Sequence, residues 1–223
     1  MAIVYAAQLV PTKLELMARW LPAQPWYAGG ADRLEALGAF RFDDPDGQVG
    51  VQVHVVHSGP GSAIYQVPMT YRPEPLAHAA DALMGEMQHS VLGTRYVYDG
   101  CHDPVFVGEL VRAILTGDTN VPEIRHTDNA PPVELPTTMH VRGSGGGDAV
   151  VPAIGLLDVV PSSADGWPTI IRTGLVEARV LRVLDQDVDP GESSVLTGTW
   201  GDRVTPCRLA SVAVRDGWSP SAR

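Results

Sequence analysis

Lysine is nearly absent from this chain: Lys13 is the only one among 16 basic residues, and all the others are arginine. Acidic residues number 26, so the formal net charge is −10 at pH 7. Proteins that bind the nucleic-acid backbone need a basic surface, because much of their affinity comes from neutralising phosphates. We therefore exclude a dedicated DNA- or RNA-binding protein.

Long hydrophobic runs and cysteines are also scarce. The longest stretch without Asp, Glu, Lys or Arg, residues 48–71, contains His, Gln, Ser, Gly and two prolines and alternates as strands do, so we predict no membrane span. The first residues have no basic segment before their short apolar run, so we expect no secretory signal and a cytoplasmic location. Cys101 and Cys207, the only cysteines, are expected to be free thiols in a reducing compartment.

Two helices are marked by their capping residues. Thr12 is followed three residues later by Glu15, which is the pattern of a capping box. Asp103 followed by Pro104 predicts the start of a second helix, and Gly117 suits its C-terminal cap. The segment 73–89 is compatible with either a helix or a strand.

From about residue 35 the hydrophobic period changes from near four to two, which predicts strands joined by short turns. We expect an antiparallel meander with one packed face and one solvated face, with Gln52 and His54 opposite the valines of the same strand. Asp43, Asp44 and Asp46 occupy a predicted turn. Pro68 lacks a ladder N–H, which favours an edge strand or a bulge. Beyond residue 150 strands are predicted and no helix.

These patterns predict an α+β class: an antiparallel sheet with packed helices, followed by a β-rich second half. Residues 1–118 would form the first domain and residues 137–223 the β-rich domain. Residues 119–136 contain four prolines and little hydrophobic pattern, so we expect a linker there.

Motifs for catalysis, cofactors or metals do not stand out. The run GSGGGD at 143–148 lacks the Lys and Ser/Thr of a phosphate loop, so we expect a flexible hairpin turn. The sequence has no HExxH, CxxC or GxSxG motif, and we predict neither a metal site nor a cofactor. In Cys101-His102-Asp103, adjacent side chains point in different directions and Asp103 already serves as a helix cap.

Aromatic residues are concentrated near the end of the first helix. Trp20, Trp26 and Tyr27 lie close together beside a glycine-rich loop. If exposed, they would form a stacking platform for a sugar ring; if buried, they would cover a small core. The second interpretation is favoured.

Three segments in order resemble the N-terminal cap domain of actinobacterial maltokinases: PTKLELMARWLPAQPWYAGG at 11–30, YQVPMTYR at 65–72 and HSVLGTRYVYDGCHDPVFVGELVRAI at 89–114. The chain departs from the family at Pro25 and at residues 29–31, where a basic residue and Gly-Lys-Gly are often found. It also shows no helical catalytic lobe with His-Gly-Asp or Asp-Phe-Glu segments. The resemblance implies a non-catalytic cap-like protein in trehalose, maltose or α-glucan metabolism.

Such a protein would bind a sugar or dock to an enzyme of that metabolism through an aromatic-bearing face. The ligand-binding candidates are Trp26, Tyr27, Arg72, Tyr98 and His102.

Two alternatives remain open. One is a small glucan-active or sugar-phosphorylating enzyme, with a site built from Asp99, His102, Asp103 and Glu109. The other is an N-lobe partner of a separate catalytic chain, because residues 193–212 resemble the phosphate-loop and lysine strands of the kinase N-lobe, with Arg208 near the place of the lysine. Arginine is not a simple substitute, since its planar fork differs from a point charge.

Overall fold

The structure, a computed structural model, describes residues 2–5, 7–30, 34–127, 130–166, 168–184 and 194–215. Within these ranges the helices and strands, in chain order, are β1 (Ala2–Tyr5), β2 (Leu9–Val10), α1 (Lys13–Trp20), β3 (Glu35–Phe42), β4 (Gly50–His57), β5 (Ile64–Arg72), β6 (Leu83–His89), β7 (Gly93–Asp99), α2 (Pro104–Thr116), β8 (Glu123–Thr127), β9 (Ala130–Glu134), β10 (Met139–Gly143), β11 (Asp158–Val160), β12 (Thr169–Thr173), β13 (Val176–Val180), β14 (Ser194–Trp200) and β15 (Arg203–Val214). Short 3₁₀ turns cover Leu21–Ala23, Ala80–Ala82 and Gly100–His102.

Both helices begin where their capping residues predict. The Thr12 hydroxyl accepts a hydrogen bond from the Glu15 backbone N–H, and the Glu15 carboxylate accepts one from the Thr12 N–H. The Asp103 carboxylate accepts from the Val105 N–H at the start of α2, and Gly117 ends that helix at φ 71°. Local sequence is sufficient here because each cap satisfies backbone groups within four residues.

The first sheet has the strand order β2-β6-β7-β5-β4-β3, and every adjacent pair is antiparallel. The consecutive β3, β4 and β5 confirm the predicted meander. The solvated face is a wrong prediction: Gln52 and His54 are buried, as are the valines on the opposite face of β4. Helix α1 covers one face through Leu16 and Met17, while α2 packs on the other.

Pro68 lies in an interior strand, so its assignment to an edge or a bulge is wrong. The second half of β5 pairs with β7, starting at Met69. The first half is bonded instead to a later segment: the Gln66 N–H donates to the Arg182 carbonyl at 2.9 Å, and the Leu184 N–H donates to the Ile64 carbonyl at 2.8 Å. Pro68 lies between these two pairings. Its missing N–H therefore costs no hydrogen bond to a neighbouring strand.

The second sheet has the order β10-β14-β15-β13-β12-β11 and is antiparallel throughout. Its buried side chains alternate along β10, β12 and β13 and face α2 and the first sheet. No helix occurs in the described residues beyond 150, as predicted. Antiparallel sheet therefore dominates the molecule, and helix is a smaller part of it than the α+β prediction implied.

A third, small sheet lies where we expected a linker. Strand β8 pairs in parallel with β1 and antiparallel with β9, so residues 119–136 contain two strands despite their prolines. The second half also forms one core cluster with the first, in which Phe40 and Val53 join Ile171 and Leu209. The domain boundaries at 118 and 137 stay a prediction.

Two further segments differ from the sequence patterns. Residues 73–89, compatible with a helix or a strand, form the 3₁₀ turn Ala80–Ala82 followed by β6. Between residues 150 and 160, the first part of the region where we predicted strands, the structure forms only β11, which pairs with β12.

The glycine-rich loop after β10 packs against the C-terminal end of α2. Strands β10 and β11 occupy opposite edges of the second sheet, so the predicted hairpin is wrong. The Gly145 N–H donates to the Ile114 carbonyl at 2.9 Å, and the Gly146 N–H donates to the Leu115 carbonyl at 3.0 Å. These bonds satisfy carbonyls that a helix end leaves unpaired. A Cβ on Gly145 would lie 1.8 Å from the Leu115 oxygen, so only glycine permits this approach.

We therefore expect Gly145→Ala to lower the free energy of unfolding by about 3 kcal/mol, because the loop must separate from the helix end. Gly146→Ala is the matched control. No atom lies within 4 Å of its added Cβ and its N–H bond is retained, so its effect should stay within about 0.5 kcal/mol. Urea unfolding of both variants checks this, and equal stabilities would contradict it.

Candidate functional site

Two of the predicted ligand-binding residues belong to an aromatic cluster beneath α1. Trp26 is only 5% exposed and packs edge-on against Trp20, with ring centroids 5.9 Å apart. Tyr27 is half-buried, and its ring centroid lies 4.7 Å from that of Tyr65. Trp26 is therefore part of a core, as the favoured interpretation expected. A ligand-binding role for Trp26 and Tyr27 stays a prediction.

Arg72 and Tyr98 lie on the face of the first sheet that α2 covers at its N-terminus. The Arg72 guanidinium donates two hydrogen bonds to the fully buried Asp103 carboxylate, at 2.6 and 2.7 Å. The buried Tyr98 hydroxyl accepts from the Leu76 N–H at 3.0 Å. Both side chains thus have structural partners.

The residues of the alternative enzymatic site are also engaged. Asp99 forms an ion pair with Arg182 at 2.6 Å, and Glu109 forms one with Arg112 at 2.8 Å. His102 is half-buried, and burial lowers the pKa of its imidazole. The neighbouring Cys101 is fully buried, which raises the pKa of its thiol, and Cys101 and Cys207 form no disulfide with each other, as predicted.

Sequence patterns did not reveal a cavity of about 520 Å³ on the α1 side of the first sheet. Its walls come from the start of α1, from β3, β4 and β5, from the turn at 43–49 and from the β6–β7 hairpin. The side chains that matter for its chemistry are Lys13, Arg41, Gln52, Tyr71, Met87, His89 and Arg95.

Strand register explains why these side chains meet. Arg41 on β3 is paired with Gln52 on β4, and Gly50 is paired with Tyr71 on β5. Because side chains alternate between faces, Arg41, Gln52 and Tyr71 point to the same side. Gly50 leaves the space open: a Cβ there would lie 3.4 Å from the Tyr71 ring and 3.5 Å from Arg41 Nη2.

Lys13 projects into this space from the first turn of α1. Its Nζ donates to Gln52 Oε1 at 2.5 Å and lies 5.5 Å from the centroid of the Tyr71 ring. The Gln52 amide in turn donates to Glu123 on β8 at 3.2 Å. The only lysine of the chain is thus held between an amide oxygen and an aromatic ring.

Burial and neighbouring charge perturb the titration of this region. Burial, assisted by the positive charge of Arg41, lowers the pKa of Lys13 to about 8. Burial also lowers the pKa of His54 well below its usual range and raises that of Tyr71. Among the described residues, Arg41 Nε and His54 Nε2 are buried and have no hydrogen-bond partner. Lys13 and Arg41 thus bring positive charge to this end of the cavity.

The acidic turn at the cavity mouth is held by its own backbone. The Asp44 carboxylate accepts hydrogen bonds from the N–H groups of Asp46, Gln48 and Val49. Asp44 thus serves the turn, as expected from the sequence. In the described part of the chain, no three His, Cys, Asp or Glu side chains lie close enough together to hold a metal ion. No described helix is long and apolar enough to span a membrane.

The fold is thus that of a sheet-rich protein with a ligand-sized polar cavity on its first sheet. Residues 20–103 match the family model described as the maltokinase N-terminal cap domain, which confirms the resemblance over that segment. No curated protein matches the chain. All residues that line the cavity fall inside the matched segment except Ala7, Leu9 and Lys13.

One sequence signal pointed toward the cavity. Gln52 and His54 alternate with valines, and we assigned them to a solvated face although α1 covers it. Polar residues on a face that must also receive a helix are typical of a site, because a purely packing face would be apolar. Lys13 was visible as the only lysine, but its neighbour Gln52 is 39 residues away.

Lys13 should make stability depend on pH. Its pKa is about 8 in the folded protein and near 10.5 when unfolded, so the unfolded chain binds more protons between these values. The cost of burying the ammonium is complete below pH 8 and is relieved as the pH rises toward 10.5. Lys13→Met lacks this contribution. Relative to that variant, the wild type should gain on the order of 1–2 kcal/mol over this interval, allowing for solvent in the cavity.

Urea unfolding at pH 7.5 and pH 10 measures this difference. Arg19→Met is the control, since it removes an exposed positive charge from the same helix. A difference between wild type and Lys13→Met that does not change with pH would contradict the perturbed lysine.

Proposed function

We propose that this chain is a non-catalytic, cytoplasmic, cap-like protein of maltose, trehalose or α-glucan metabolism, and that it binds a carbohydrate in the Lys13 cavity without a cofactor. The observation that supports this most directly is the position of the cavity, whose walls come almost wholly from the segment that matches the maltokinase cap domain. Maltokinases act on a carbohydrate, so the match suggests a carbohydrate ligand, and the cavity is large enough to hold one.

The size and chemistry of the cavity suit a small carbohydrate. Its volume of about 520 Å³ is within the usual range of roughly 300–1,000 Å³ for small-molecule sites. The amide of Gln52 and the phenol of Tyr71 can exchange hydrogen bonds with hydroxyl groups, and Met87 and the Tyr71 ring provide apolar surface for a sugar ring.

A non-catalytic role is supported by the state of the acidic side chains. Asp99, Asp103 and Glu109 each form an ion pair with an arginine. A general acid has to reach the substrate and deliver a proton to it, whereas each of these carboxylates is held by its arginine partner.

Sugar binding should appear as thermal stabilisation that grows with ligand concentration, because a ligand that binds only the folded state stabilises it by mass action. The ligands to titrate are maltose, trehalose and maltotriose. Gly50→Leu places a side chain in the cavity and should abolish the shift. Gly146→Leu, at an open surface position, should preserve it. The proposal fails if no sugar shifts the transition, or if Gly50→Leu responds as the wild type does.

Docking to an enzyme of the same metabolism is a second candidate, and an exposed apolar patch favours it. Strand β2 pairs with β6, and the Ser90 N–H donates to the Gln8 carbonyl, which brings Val10 close to the β6–β7 turn. Val10, Val91 and Leu92 are 66%, 55% and 42% exposed. Exposed apolar side chains on neighbouring segments are found at many protein contacts. A lack of response to every sugar would favour docking over binding in the cavity.

A non-catalytic protein should show no turnover when incubated with ATP and maltose, trehalose or glucosamine, or separately with glycogen. Phosphoryl transfer needs a lysine or equivalent on the phosphates together with a catalytic Asp and groups that hold Mg²⁺. Lys13 lies instead against Gln52 and Tyr71. Product formation measured by phosphate and sugar analysis, and lost in His102→Ala, would replace the proposal by the enzymatic alternative.

A further inference from the structure

The positive end of the cavity suggests which chemical group the ligand presents there. We propose that Lys13 and Arg41 form an oxyanion subsite, which takes the phosphate or carboxylate group of a small carbohydrate-derived ligand. The inference rests on the proposed function, carbohydrate binding in this cavity, and specifies that the ligand carries a negative charge.

The first observation is that the two cations have no ionic partner in the part of the chain that the structure describes. Within the described ranges, Lys13 donates to a neutral acceptor, Gln52 Oε1, and forms no ion pair. Arg41 likewise forms none, and its Nε is buried without a hydrogen-bond partner. Buried charges in proteins are usually paired, because an unpaired one keeps its desolvation penalty. A bound anion could pair with both of these neighbouring cations and offset the cost of burying them.

The second observation is the geometry around Arg41. A Cβ built on Gly50 would lie 3.5 Å from Arg41 Nη2 and 3.4 Å from the Tyr71 ring. The guanidinium therefore lies over Gly50 and beside that ring. The absence of a side chain at Gly50 keeps this guanidinium open to the cavity. An arginine fork in such a position can donate two parallel hydrogen bonds to a phosphate or carboxylate.

Two of the acidic groups nearby are engaged by other partners. Glu123 approaches through Gln52, whose amide donates to it at 3.2 Å, and the Asp44 carboxylate is bound to three backbone N–H groups of its turn. Asp43 and His89 also line the cavity, and Arg95 adds a third cation.

The titration of Lys13 agrees with this geometry. Its pKa is lowered to about 8 by burial and by Arg41, while Glu123 offsets only part of that effect. An oxyanion beside the ammonium would raise this pKa again, since opposite charge favours the charged form. A neutral hydroxyl group would not do so to the same extent.

Calorimetric titration of the full chain at pH 8 tests the subsite with four probes: glucose, glucuronate, glucose 1-phosphate and inorganic phosphate. Glucose 1-phosphate or glucuronate should bind at least about tenfold more tightly than glucose, as expected for charge-assisted hydrogen bonds. Comparison of these two probes identifies whether phosphate or carboxylate is preferred. Lys13→Met and Arg41→Met should each weaken binding of the preferred probe by about tenfold or more, whereas Arg19→Met should not.

Proton uptake provides a second measurement that misfolding could not imitate. At pH 8 roughly half of the Lys13 side chains are protonated, so binding should take up roughly half a proton. This appears as a dependence of the binding enthalpy on the ionisation enthalpy of the buffer. Lys13→Arg, which stays charged, should bind the anion without proton uptake.

The outcomes separate the two proposals. Equal binding of glucose and its charged analogues, or anion binding that survives both methionine variants, would overturn the oxyanion subsite and leave carbohydrate binding intact. Inorganic phosphate bound as tightly as glucose 1-phosphate would support the subsite and count against recognition of the sugar. If maltose also fails to stabilise the protein and no charged probe binds, both proposals fall.

Discussion

A buried ion pair between Arg182 and Asp99 connects the two halves of this protein. Arg182 is 1% exposed and donates to Asp99 at 2.6 Å and to Thr169 at 2.8 Å, and its guanidinium lies 5.4 Å from the centroid of the Trp26 ring. These partners belong to both halves of the chain. Such a pair is not a large net source of stability, because both charges lose their hydration. It favours one arrangement of the halves, however, since a compact arrangement that buried Arg182 away from Asp99 would leave its charge unpaired.

The same segment explains why the first sheet is covered on both faces. The backbone around Arg182 bonds to the first half of β5, and the buried Gln66 amide donates to the carbonyls of Leu181 and Leu209. The second sheet and α2 thereby occupy one face, which leaves α1 and the small β1-β8-β9 sheet on the other. Because α1 and the neighbouring Glu123 partly close that second face, its polar residues line a cavity rather than an open surface.

Sequence predicted those features whose causes are local. The caps at Thr12, Asp103 and Gly117 were found because each satisfies groups within one helical turn, and the meander followed from strand period and turn residues. Features that depend on distant partners were missed. The missing N–H of Pro68 predicts an edge strand or a bulge, but a second neighbour of its strand, the segment at 182–184, lies more than 110 residues away in sequence. For the same reason the glycine run at 143–147 predicts a flexible hairpin turn, whereas in the structure it bonds to the C-terminal end of α2.

The residues that form the cavity come partly from the segment that matches the cap domain and partly from outside it. The matched segment 20–103 supplies the sheet, the mouth and Arg41, whereas Lys13 and Glu123, which set the charge near Gln52, lie outside it. A fold fixes where a ligand can lie, and individual side chains decide which ligand it is. Replacing Lys13 alone would therefore change the electrostatics of the cavity without changing its walls. The positive charge of the cavity thus has two sources: Lys13 comes from the flanking residues, and Arg41 comes from the segment that matches the cap domain.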